Sequence, residues 1–154
     1  MTASTPPAPI EAWLVKRSDS DGPYTVRLDG DRVMFSAIEA GHWVVVVDGS
    51  GTVQRVGRVL RVRADMDWAT IYIDRCHPFE SFLALADVGL TLPRGLASRL
   101  REEDLARLLE REGLALEDIP IIDDARYVRD LLEMAVRDDL LGPAGGPKEY
   151  VVDM

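Results

Sequence analysis

Between residues 10 and 75 apolar and polar side chains alternate with a period of two, and beyond Pro78 the period lengthens to that of a helix. "AWLVKR" reads as a first strand. In "PYTVRLDGDRVMF", Tyr24, Val26 and Leu28 alternate with Thr25 and Arg27, and Asp29-Gly30 predicts a tight turn joining two strands of a hairpin. "GHWVVVVDGSGTVQRVGRVLRVRADMDWATIYIDR" repeats the device. It holds an apolar strand, a Gly-rich turn at 48–51, a long strand, a turn near 65–67 and a last strand. Six short strands at this spacing predict an antiparallel meander, a small closed or partly closed β-barrel over residues 10–78.

The remainder predicts helices, so the fold class is α+β. "REEDLARLLEREG" puts Leu105, Leu108 and Leu109 on one face and stops at Gly113, a favourable residue just past a helix end. "DDARYVRDLLEMAVRDDLLG" spaces Val128, Leu131, Leu132, Ala135 and Val136 at i, i+3, i+4, i+7 and i+8. Asp123 or Asp124 caps its start and Gly142-Pro143 ends it. Between these lie "SFLALADVGL", a short helix or turn, and "LEDIPIIDD", where Pro120 breaks any helix. The expected organisation is a disordered, Pro-rich lead-in at 1–9, the barrel at 10–78, a helical part at 79–141, and a Gly/Pro hinge and tail at 142–154.

Composition narrows the function. The 154 residues are 47% hydrophobic and 29% charged, enough for a core and against wholesale disorder. The net charge of −9 disfavours non-specific phosphate binding but leaves room for a local basic stripe. One cysteine, Cys76, excludes an internal disulfide and suits a reducing compartment. The N-terminus has neither the basic region nor the apolar run of a signal peptide, and the longest apolar run, 43–47, is far too short for a bilayer. The expectation is a cytoplasmic protein with no membrane partner.

Catalytic groups are scarce. Cys76 and His77 are neighbours on an extended strand and point to opposite faces, which favours a structural role at the strand end. His42, His77 and Cys76 lack zinc-site spacing. The carboxylates Asp65, Asp67, Asp74 and Glu80 have no Lys two residues beyond, as a metal-dependent nuclease would need, and Asp65 and Asp67 read as turn residues. Neither GxGxxG nor GxxxxGK[ST] occurs. The reading is a protein that is not an enzyme and needs no metal and no cofactor.

One strand stands out. In "TVQRVGRVLRVRAD", Arg55, Arg61 and Arg63 share one parity, while Arg58 falls with Val56, Leu60 and Val62 unless Gly57 marks a bulge. With Trp68 and Tyr72 on the next strand, Arg55, Arg58, Arg61 and Arg63 can hold a phosphate backbone and stack a base. The competing reading is an exposed face with these arginines paired to Asp65, Asp67 and Asp74, and the acidic total favours it.

"GHWVVVVDGSGTVQRVGRVLRV" resembles the strand and Gly-Arg-Val hairpin of PUA-like and EVE-like barrels, of the same general kind as SH3-like meanders. That resemblance implies recognition of RNA or of modified bases. "VRDDLLGPAGGPKE" resembles a segment near the start of the DISARM-type superfamily 2 helicases of bacterial anti-phage islands, with Leu140, Leu141, Gly142, Pro143, Gly146 and Pro147 in the matching places. Lys148-Glu149 departs from the family's acidic run, and no Walker motif is present, so helicase activity does not carry over. The resemblance implies a non-catalytic accessory or N-terminal module of a defence helicase system, partnered by a helicase or another defence subunit, or by DNA or RNA. The stripe Val128, Leu131, Leu132, Ala135 and Val136 would dock the partner. Two alternatives stay open: a stand-alone PUA-like reader of nucleic acid, and an acidic DNA mimic or inhibitor.

Overall fold

The computed structural model describes residues 9–29, 37–64 and 67–141, with side chains as far as residue 137. The chain divides into two compact units between Ile121 and Ile122.

The first unit carries β1 (Ala12–Lys16), β2 (Thr25–Asp29), β3 (Trp43–Val47), β4 (Val53–Ala64), β5 (Trp68–Pro78) and β6 (Ala97–Leu100), in the sheet order β2-β5-β4-β3-β1-β6. Four of the five pairings are antiparallel. The fifth, β1 with β3, is parallel and sets Ala12 opposite Trp43 and Lys16 opposite Val47. The sheet is therefore mixed, not the purely antiparallel meander that the spacing predicts. The reason lies in burial: β3 is apolar and buried at all five positions, and Ala12, Trp13, Leu14 and Val15 are buried on both parities. Continuous apolar strands buried on both faces are the kind that pair in parallel, whereas a strand with one solvated face alternates.

The partner strand of the expected Asp29-Gly30 hairpin falls in residues 30–36, outside the described residues, and among the described residues β2 pairs with β5. β6 lies within the stretch expected to be helical, and pairs antiparallel with β1. At four residues it is too short to show a period.

α1 (Glu102–Glu112) forms where expected and ends at Gly113, whose φ of 71° is the left-handed geometry that glycine tolerates best. Its Leu105, Leu108 and Leu109 join Leu14, Val45, Val56, Leu83 and Ile119 in one core cluster. Each such leucine, fully buried, contributes about 1.5–3 kcal/mol. This shared core explains why the boundary falls at 121/122 and not at 78/79. The two connecting segments form 3-10 turns at Leu85–Val88 and Leu116–Asp118.

The second unit holds α2 (Ala125–Leu141). Asp124 Oδ1 accepts the backbone N–H groups of Arg126 at 3.0 Å and Tyr127 at 3.2 Å, so Asp124 is the cap. The Gly142-Pro143 stop, the expected hinge and tail, and the expected lead-in up to residue 8 lie outside the described residues, as does Asp65. Among the described residues no helix is long and apolar enough to cross a membrane.

Candidate nucleic-acid interface

The β2–β5–β4 register builds the site. Tyr72 stands between Thr25 and Arg61, Thr70 between Arg27 and Arg63, and Trp68 beside Asp29. Directly opposed residues project from the same side of a sheet, so these side chains form rows on one face. The intervening Val26, Leu28, Ala69 and Ile71 are fully buried, which assigns them to the other face. The outer face thus carries three arginines and two large aromatic rings on three adjacent strands.

Local chemistry arranges these groups. The Arg27 guanidinium lies 4.2 Å from the Trp68 ring centroid, and its Nε donates to Asp29 Oδ1 at 3.1 Å. Burial and the adjacent Arg63 charge push the Arg61 guanidinium below its ordinary value, and Tyr72 pulls it back. Two cations crowded in this way gain from any anion that settles across them.

Arg55 and Arg58 are employed elsewhere. The Arg55 guanidinium, 13% exposed, donates to the carbonyls of Gly22 at 3.2 Å, Pro23 at 2.6 Å and Thr25 at 2.8 Å, and so staples the loop before β2. Arg58 makes a two-pronged pair with Asp74, at 3.0 and 2.5 Å. The division follows from register shifts between Arg58 and Val59 and between Val59 and Arg61. The expected bulge does not fall at Gly57, which pairs in step with Cys76: the ladder skips Asp74 on β5 just after Arg58, and Leu60 on β4 just after Val59. Gly57 itself is required by close approach, since a Cβ there would sit 2.8 Å from Ile73 Cδ1 and 2.9 Å from the Arg75 carbonyl oxygen.

The sequence pattern names Arg61, Arg63, Trp68 and Tyr72 as candidates, and the register sets Arg27, Thr25 and Thr70, which it does not name, on the same face. The alternation in 25–29 put Arg27 and Thr25 on one face, yet no local signal says that β2 pairs with β5.

The other candidate groups have structural partners. His77 Nε2 lies 2.9 Å from Glu112 Oε2. Cys76 is half-buried, and burial pushes its thiol up, away from the thiolate that nucleophilic chemistry needs. His42 Nδ1 accepts the Trp13 indole N–H at 3.1 Å and the Glu39 backbone N–H at 3.2 Å. Asp48 holds its turn by accepting from Ser50 and Thr52, contacts that lower its pKa. Asp67 is exposed, and the Glu80 backbone N–H donates to Glu112. No three His, Cys, Asp or Glu side chains among the described residues gather into a metal-binding group.

In the second unit Val128, Leu131, Leu132, Ala135 and Val136 lie along one side of α2. Among the described residues α2 is the unit's only helix or strand, so the stripe has no second element within its own unit to pack against. No protein-family model matches this chain, and no curated protein matches it.

Proposed function

We propose that the chain is a non-enzymatic module that engages single-stranded nucleic acid on the outer face of β2, β5 and β4. The observation that carries this reading is the register that aligns Arg61 with Tyr72 and Arg63 with Thr70, next to the Arg27–Trp68 stack. Phosphates would lie across the arginines. Bases would stack on Tyr72 and on the Trp68–Arg27 pair, each stack worth about 1–3 kcal/mol. An open sheet face takes a splayed single strand without reading base edges in a groove. The salt sensitivity would come from counterion release at these arginines, and repulsion from the acidic remainder, itself screened by salt, would only lower the affinity at low salt. A curled, barrel-like sheet of the PUA-like kind would suit such a reader.

A labelled single-stranded oligonucleotide, titrated with protein and followed by anisotropy, tests this. Binding should weaken with salt, with a log–log slope near about −2 for three neutralised phosphates. The double variant Arg27→Ala/Arg63→Ala should lose it. Retained affinity in that variant would remove this face.

A second reading rests on α2. A single amphipathic helix leaves its stripe to be covered by something else, and a helicase-type defence subunit is the partner implied by the resemblance at 140–149. Leu132→Asp should abolish co-purification with such a subunit, and unchanged co-purification would end that reading.

A further inference from the structure

The first unit has a groove of about 580 Å³ beside α1, on residues to which the sequence pattern assigns no site. It lies within the range of about 300–1,000 Å³ typical of ligand sites. Its apolar lining comes from three separate places in the chain: Ile10 before β1, Leu109 on α1, and Leu114 and Leu116 in the segment after α1. Of these Leu109 is buried while Ile10, Leu114 and Leu116 are half-exposed, so the surface is wettable yet apolar.

The charge around this surface is of one sign. Glu102, Glu110, Glu117 and Asp118 line the groove, and among the described residues no Lys or Arg lines it. Glu102 also accepts the Ile10 backbone N–H at 3.0 Å, which fixes one wall. At the other end α1 terminates at Gly113, where the negative end of the helix dipole adds to the field. An apolar floor inside a carboxylate rim complements an apolar ligand with cationic flanks. A purely apolar ligand would leave the rim unmatched, and an acidic one would be repelled.

We propose that this groove docks an amphipathic peptide segment of another protein, with bulky apolar side chains at helical spacing flanked by Lys or Arg. The apolar side chains fill the space between α1 and the 113–118 segment, and the cations meet the rim. The site is independent of the arginine-bearing strand face and of what that face binds.

The probe is a fluorescein-labelled synthetic peptide with Leu at i, i+4 and i+7 and Lys or Arg at the other positions, titrated with the full chain. Its control carries Glu in place of the cations. Two variants change the groove at exposed positions: Ala106→Arg fills it, and Glu110→Lys/Glu117→Lys reverses the rim. The expected result is a dissociation constant on the order of 10 μM for the basic peptide, weakened at least about tenfold by either variant and by Glu in the peptide. Circular dichroism melts of both variants should match the parent. Equal binding of the acidic peptide, or affinity unchanged in both variants, overturns the proposal. So does concentration-dependent self-association that Ala106→Arg abolishes, since the occupant would then be a second copy of this chain.

Discussion

His77 Nε2 at the end of β5 lies 2.9 Å from Glu112 Oε2 in the last turn of α1, and this contact ties strand to helix. A carboxylate at a helix C-terminus faces the unfavourable end of the dipole, so it must be held by donors. Glu112 has them: the Ser81 hydroxyl, the Glu80 N–H at 2.7 Å, the Ser81 N–H at 3.3 Å and His77. Burial pushes this carboxyl up, but the Ser81 hydroxyl, the Glu80 N–H and His77 together overcome it and leave the pKa lowered from 4.5 to about 2.

Because the folded pKa lies below the unfolded one, the stabilisation is complete above about pH 4.5 and is lost as the pH falls towards about 2. Urea melts at pH 6 and pH 2.5 should show a larger acid loss in the parent than in Glu112→Gln. The difference should be on the order of 2–3 kcal/mol. Equal acid losses in the two proteins would show that Glu112 is not the group being titrated.

Gly57→Ala should destabilise the fold by about 1–3 kcal/mol, since the added methyl meets both a side chain and a carbonyl oxygen. Ile73→Val in the same chain removes the Cδ1 contact at 2.8 Å but leaves the Arg75 oxygen at 2.9 Å. The double variant should therefore recover only part of the loss relative to Ile73→Val alone. Full additivity in denaturant melts would mean that Ile73 does not sense the methyl.

Arg55→Ala and Arg63→Ala should separate cleanly. The first removes a largely buried guanidinium from three carbonyls, and should lower stability by about 2–3 kcal/mol while leaving oligonucleotide affinity intact once folded. The second should weaken binding and flatten its salt slope by about 0.7 with little change in melting temperature. A stability loss with Arg63→Ala equal to that with Arg55→Ala would place both in structural roles.

Asp124→Ala should remove the α2 cap and cost about 1 kcal/mol of helix stability. Amide exchange of Arg126 and Tyr127 should speed up first, because their N–H groups lose their acceptor. Unchanged exchange at both would show that water replaces the cap without penalty.

Sequence alone determined what depends on neighbours in the chain. The α1 stripe and its Gly113 end, a cap at Asp123 or Asp124, the turn at 48–51 and the long strands β4 and β5 all follow from periods and local hydrogen bonding. So does the grouping of Arg61, Arg63, Trp68 and Tyr72, which two adjacent strands bring together. Tertiary structure decided what depends on distant pairing. The parallel β1–β3 contact, β6 and its place beside β1, and the seating of Arg27 against Trp68 all join segments far apart in the chain. Arg55 shows the limit most sharply, for its parity matches Arg61 and Arg63 in sequence. The ladder skips Leu60 between them, which breaks that parity, and three carbonyls before and at the start of β2 claim its guanidinium. Alternation reports which side a residue faces only while the ladder stays in step, and a bulge is set by the partner strand.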